Sequence, residues 1–261
     1  MKTYKYNSAI GANLRVEEVK GSGYPGESSY DKSKLKVHYL LQRAKTDSRY
    51  LLVIFSAFPK TGHPPVYNYV RTLSSITCNK LFILDEYGPS ASYYLGENRV
   101  FDFEESVIAL IGDVCEELGT ESEQVISMGS SKGGFAALYF AVKYGFGHVI
   151  AAAPQTKLGN FVFSNHPDVA QYISGELSED GRDFLNTLLP DALDKAATLP
   201  KIYLHVGRGD HHYGGHIMPL VEILRRKKSD YVLDVQEYEL HSQVGMYFPG
   251  FLFSALDTIL D

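Results

Sequence analysis

At 261 residues, 44% of them apolar, the chain has the length of one large domain and enough core-forming side chains to exclude a disordered polymer. A net charge of −6 removes the long-range attraction on which a general nucleic-acid binder depends. No run approaches the ~18 apolar residues of a membrane helix, and the opening MKTYKYNSAI lacks the apolar stretch of a signal peptide, so no membrane span and a cytoplasmic location are expected.

Two loops, residues 20–30 (KGSGYPGESSY) and 58–65 (FPKTGHPP), carry Gly and Pro turn punctuation. Between them the pattern predicts strands over 35–41 and 50–56. The second, YLLVIFS, is almost continuously apolar, as suits a strand covered on both faces in a parallel sheet. A short strand follows at 81–84 (LFIL). A helix over 103–118 places Val107, Leu110, Ile111, Val114 and Leu118 on one face, with Gly119 as its C-terminal cap. Cys115 lies on that apolar side and reads as a core thiol. With Cys78 it makes neither a disulfide framework nor a metal-ligand spacing.

Next come a strand at 124–128 (QVISM), a helix over 132–144 closed by Gly145, and a strand at 148–153 (HVIAAA) stopped by Pro154. Residues 155–200 are less regular and longer than an ordinary α/β connection, with a helical run near 181–189. Strand 201–206, helix 217–228, strand 231–238 and a helix around 251–259 complete the chain. This alternation predicts an α/β fold, a doubly wound and mostly parallel sheet of about eight strands in one domain spanning 1–261. Its sites belong at the C-terminal edge of the strands.

The chemistry concentrates at Gly129-Ser130-Ser131-Lys132-Gly133, a G-x-S-x-G sequence set between a predicted strand and a predicted helix. A serine at a sharp strand-to-helix turn needs small residues two before and two after it. The turn then exposes its hydroxyl and aims the next backbone N–H at a reacting carbonyl oxygen. The glycines place Ser131 at the apex, with Ser130 as the neighbouring rival and the Lys132 side chain expected to face solvent or the cleft. Serine needs a base, and the base an orienting acid. Asp210 just past strand 201–206 and His241 just past strand 231–238 stand in the expected order.

The second oxyanion donor is expected at Ala57 or Phe58, beside the Lys132 N–H. His205 reads as a core residue. His211, His212 and His216 cluster beside Asp210, so His211 and His212 are candidates for substrate contact. A metal site built on Asp210–His216 is the rival reading of that cluster. His38, His63, His148 and His166 offer no partner pattern. Among 19 tyrosines and 14 phenylalanines, with no tryptophan, Tyr87, Tyr93 and Tyr94 follow strand 81–84. Tyr93 and Tyr94 are candidates for lining a substrate cleft.

The GSSKGG elbow, Asp210 and His241 resemble the nucleophile, acid and base of the α/β-hydrolase superfamily, over about residue 50 to the C-terminus. The elbow together with FSAF and Ala153-Pro154-Gln155 is similar to bacterial proteins acting on surface glycans, including glycan O-acetyltransferases and capsule-biosynthesis hydrolase-like proteins. The resemblance implies a serine-dependent acyl hydrolase acting on a small or glycan-linked acyl ester, with no metal or dissociable cofactor. It also implies a lid at residues 155–200. An acyltransferase with the same residues, a non-catalytic binding protein of this fold and a metal-dependent hydrolase are the alternatives.

Overall fold

The computed structural model describes residues 19–60 and 62–261. The expectation for the first ten residues therefore lies outside the described part. Eight strands form one sheet: β1 (Ser28–Tyr30), β2 (Val37–Gln42), β3 (Leu51–Phe55), β4 (Asn79–Ile83), β5 (Val125–Ser130), β6 (His148–Ala152), β7 (Lys201–Gly207) and β8 (Tyr231–Gln236), in the order β1-β2-β4-β3-β5-β6-β7-β8. From β4 to β8 all neighbours are parallel, while β1 and β2 add an antiparallel edge. Every residue of β3, β4 and β5 is buried, so the centre of the sheet is covered on both faces, as the unbroken apolar run of β3 requires.

Among the described residues seven α-helices accompany the strands: α1 (Asp102–Leu118), α2 (Lys132–Tyr144), α3 (Leu158–Asn165), α4 (Pro167–Ser174), α5 (Glu179–Lys195), α6 (Met218–Arg226) and α7 (Val244–Leu260). Gly119 and Gly145 adopt the left-handed conformation after α1 and α2, as C-terminal caps. No helix of the described residues is long and apolar enough to cross a membrane.

Three local expectations are revised. Strand β1 lies at the end of the Gly/Pro loop, where no strand is predicted, and forms by pairing with β2. Helix α7 begins at Val244, not at 251, and carries Pro249 within it. Its first turns are held by burial of Val244 and Phe248, packing that overrides a local breaker. Residues 155–200 contain three helices, and α5 runs through Pro190 because Ala192 and Leu193 beyond it are buried. Cys78 is buried, but Cys115 is partly exposed, with burial still pushing its thiol up to about 11.

What positions the site is the contact between α2 and the sheet. A Cβ on Gly133 would stand 2.2 Å from the Phe55 carbonyl oxygen, and one on Gly129 would stand 2.3 Å from that of Gly133. Neither neighbour is a flexible side chain, so the backbone itself would have to move. Gly133→Ala is expected to lower stability by about 1–3 kcal/mol. A fall in the urea midpoint at unchanged slope checks it.

Candidate active site

Strand β5 ends at Ser130 and α2 starts at Lys132, so Ser131 alone makes the turn, at φ 54° and ψ −116°. That region is costly for a residue with a side chain. The turn is tied down by Ser131 N–H donating to Ala152 O at 2.8 Å and by Phe135 N–H donating to Ser131 O at 3.1 Å. Ser130 Oγ accepts the Tyr69 hydroxyl at 2.6 Å, which occupies the rival serine. Ser131 Oγ lies 2.9 Å from His241 Nε2, and His241 Nδ1 lies 2.9 Å from Asp210 Oδ2. Asp210 comes from the turn after β7, and His241 from a short 3₁₀ turn after β8.

Asp210 Oδ1 is occupied as well. It accepts the His212 backbone N–H at 2.9 Å and faces His212 Nδ1 at 3.0 Å. A carboxylate has no proton to offer, so both Nδ1 atoms carry one, leaving His241 Nε2 as the acceptor for the Ser131 hydroxyl. Burial alone would raise the Asp210 carboxyl. The hydrogen bonds from His212 and His241 outweigh it and hold that carboxyl well below the usual range. Burial pushes His212 down despite Asp210, favouring the neutral ring. That ring stacks on His241 with centroids 4.0 Å apart and planes 18° from parallel.

The remaining predicted residues divide. His211 is exposed, 66% of its side chain accessible, and its ring lies 5.8 Å from that of His241, at the mouth of the site. His212 is fully buried beneath His241, so it is a partner of Asp210 and not a surface that meets substrate. Tyr93 and Tyr94 are likewise fully buried, and both have left-handed backbone. The Tyr94 hydroxyl accepts Ser56 N–H at 2.6 Å and donates to Ile83 O at 2.9 Å, a structural role.

Lys132 is 1% exposed, facing neither solvent nor the cleft, and its Nζ meets Asp85 Oδ2 at 2.6 Å. Its backbone N–H, in the first turn of α2, is among those with no carbonyl inside the helix. The Ala57 N–H donates to Asn68 Oδ1 at 2.8 Å, so of the two expected loop donors it is the occupied one. His205 is the core residue expected, with Nδ1 2.6 Å from Asp234. Asp210, His212 and His241 offer ligand atoms within 4.8 Å of one another, but both Nδ1 atoms are turned to the Asp210 carboxylate. His216, the far member of the suspected metal cluster, accepts the Lys157 N–H on Nδ1 at 3.1 Å.

Residues 155–200 reach this site. Phe161 on α3 lies 5.6 Å from the His212 ring, and His166 lies 5.8 Å from Phe161 and stacks on Phe58 at 4.3 Å. Phe58 meets Tyr93 edge-on at 5.4 Å. Tyr93 donates to Gln155 Oε1 at 2.5 Å, and Gln155 Nε2 donates to Ser131 Oγ at 2.8 Å. Side chains thus form a closed circuit through Ser131, His241, His212, Phe161, His166, Phe58, Tyr93 and Gln155. Sequence reasoning assigned no role to Gln155, Asp85, Tyr69 or Asn68. Gln155 stood in a motif quoted only for its likeness, and the others carried no pattern.

No family model and no curated protein sequence matches the chain. Among solved structures, it is similar to the capsule O-acetyltransferase of Neisseria meningitidis serogroup A, with a TM-score of 0.76 at 20% identity, over 92% of this chain and 97% of that one. It is also similar to the fluorophosphonate-binding serine hydrolase FphF of Staphylococcus aureus, at TM-score 0.68 and 12% identity, over 90% and 97%. The fold is that of the α/β-hydrolases. A third similar structure is the glycosylation-associated Gap123 complex of Streptococcus agalactiae, at TM-score 0.74 and 18% identity, over 88% of this chain but only 46% of that one. Within this α/β-hydrolase fold, Ser131, Asp210 and His241 each sit after the C-terminal end of a parallel strand.

Burial pushes the His216 imidazole from 6.5 down to about 3. As pH falls the unfolded chain therefore takes up this proton first. Stability is complete above about pH 6.5 and is lost toward pH 3, by up to about 1.4 kcal/mol per pH unit for this one group. His216→Gln retains an acceptor for the Lys157 N–H and is expected to flatten the loss between pH 6 and 4 by about one proton. Urea titrations across that range measure it.

Proposed function

We propose that this protein is a serine-dependent acyl hydrolase of esterase type, with Ser131 as nucleophile, His241 as base and Asp210 as the acid that orients it. The observation that carries the reading is the continuous run from Asp210 Oδ2 through His241 to Ser131 Oγ, each contact 2.9 Å long. Ser131 Oγ attacks the carbonyl carbon while its proton passes to His241 Nε2. The negative oxygen is received by the N–H groups of Lys132 and Phe58. Collapse of the intermediate returns the proton from His241 to the leaving alcohol. Water then gives His241 a proton, attacks the acyl-enzyme, and releases Ser131 and the acid.

Phe161, His166 and Phe58 join ring to ring across the circuit between His212 and Tyr93, which supports a short acyl group such as acetyl. Residues 155–200 act as a lid over that group, within a single domain built on the one sheet. His211 is positioned to meet the alcohol portion at the mouth. A second reading, transfer of the acyl group to a sugar hydroxyl, is favoured by the likeness to the capsule O-acetyltransferase, another structure of which is a complex with CoA. The steps are the same, with a sugar hydroxyl in place of water.

A fluorophosphonate probe is expected to label the wild type, and Ser131→Ala to abolish the labelling. His241→Ala is expected to slow ester turnover by roughly six orders of magnitude. Labelling that survives Ser131→Ala rejects the nucleophile. Acetyl esters of p-nitrophenol are expected to be cleaved at least about tenfold faster than octanoyl esters, a preference that Phe161→Ala narrows. Equal rates across the series reject the short acyl pocket. Acetyl transfer from acetyl-CoA to a sugar, measured against CoA release in water, separates the two readings.

A further inference from the structure

Gln155 is 1% exposed, yet it ends in a polar group placed against the reacting atom. Its backbone is fixed by the two residues before it. Ala153 adopts a left-handed φ of 41°, with its N–H donating to His205 O at 2.7 Å, and Pro154 follows. The carboxamide then spans two partners, with Nε2 2.8 Å from Ser131 Oγ and Oε1 2.5 Å from the Tyr93 hydroxyl.

The proton inventory fixes which way the amide points. The Ser131 hydroxyl has one proton and two lone pairs, and the proton is committed to His241 Nε2. A flipped amide would set its carbonyl oxygen against an Oγ with no hydrogen left to give. The observed orientation satisfies all three groups: Tyr93 donates to Oε1, Nε2 donates to Oγ, and Oγ donates to His241. Tyr93 is itself immobile, fully buried at a left-handed φ of 56° and packed edge-on against Phe58 and Phe135 at 5.4 and 5.6 Å.

We infer that Gln155 is a further catalytic residue, an amide donor held by Tyr93 that stabilises negative charge on the nucleophile oxygen itself. The inference rests on Ser131 being the nucleophile. The backbone donors of the oxyanion site act on the carbonyl oxygen of the substrate, whereas Gln155 acts on Oγ. While Oγ passes its proton to His241 and its bond to carbon is only partly formed, Oγ carries developing negative charge and the Gln155 N–H···Oγ bond becomes charge-assisted and strengthens, until the charge moves on to the carbonyl oxygen. In the second half of the reaction the Oγ–carbon bond breaks, Oγ leaves with the electron pair and takes its proton back from His241. The same N–H supports that departure. Because the bond also exists in the resting enzyme, only its strengthening accelerates the reaction. The effect should therefore fall short of the hundred- to thousandfold typical of a lost oxyanion donor.

The test is the second-order rate of fluorophosphonate labelling between pH 5 and 9, which reads attack by Oγ without requiring the natural substrate. Thermal melts are run alongside. Gln155→Leu, which keeps the bulk and removes the donor, is expected to label about tenfold to a hundredfold more slowly than wild type. Tyr93→Phe, which keeps the amide but frees it to flip, should fall between the two. Gln155→Glu should be the slowest at high pH, where a carboxylate opposes charge on Oγ. It should close on Gln155→Leu as the pH falls and its carboxyl gains a proton to donate. A purely packing role would not produce that pH-dependent convergence. If Gln155→Leu fails to fold, the pH profile of Gln155→Glu and the rate of Tyr93→Phe carry the test. Wild-type labelling rates in folded Gln155→Leu, or a Gln155→Glu profile parallel to wild type, overturn the inference and leave Ser131 as nucleophile. Failure of wild type to label at Ser131 overturns both.

Discussion

Helix α2 starts closer to the sheet than any side chain at Gly129 or Gly133 would allow, and the geometry of the site follows from that approach. With backbone against backbone, one residue must turn the chain from strand to helix, and Ser131 takes a conformation that residues with a Cβ avoid. The same approach sends the Lys132 side chain inward, where its ammonium meets Asp85 and lies 4.5 Å from the centre of the Tyr94 ring. Burial lowers the Lys132 pKa and Asp85 works against it, so this charge depends on its partner. Removing one member of such a buried pair costs about 3–5 kcal/mol. The residue that follows Ser131 thus anchors the helix to the end of β4 while its N–H remains at the turn.

Backbone strain gathers around the same point. Tyr69, Tyr93, Ser131 and Ala153 all have left-handed φ values. Each lies at or beside the Ser131 turn: Tyr69 through Ser130, Tyr93 through Gln155, and Ala153 as the entry to Gln155. Left-handed residues of this kind cost about 1–3 kcal/mol each and persist only where several contacts fix them. Here those contacts are hydrogen bonds of 2.5–2.8 Å and rings packed edge to face.

Much of the fold was written locally. The five apolar residues of β3, the helical spacing on α1 and the capping glycines after α1 and α2 each depend on near neighbours in the chain. The G-x-S-x-G turn and the positions of Asp210 and His241 could be read for the same reason, because each follows directly from a strand end. What escaped is non-local. Gln155 meets residues 24 and 62 positions away, and Lys132 finds Asp85 across 47. The burial of Tyr93 and Tyr94 comes with φ values their identity argues against. His212 and His211 look alike in the sequence, yet one lies under His241 and the other faces solvent. The run through Pro190 and Pro249 was hidden because buried packing, not propensity, holds those helices together.

The tyrosine surplus acquires a meaning at Tyr69, Tyr93 and Tyr94. Each presents a phenol to a polar group that an ordered solvent molecule could otherwise serve: the Ser130 hydroxyl, the Gln155 carbonyl, and the Ser56 N–H with the Ile83 carbonyl. Burial pushes all three hydroxyls above their ordinary pKa, so they stay neutral donors. A phenol bolted to the backbone can neither exchange with the bulk nor attack an ester. Beneath Ser131 the protein carries its own permanent hydration, made of groups that cannot drift away.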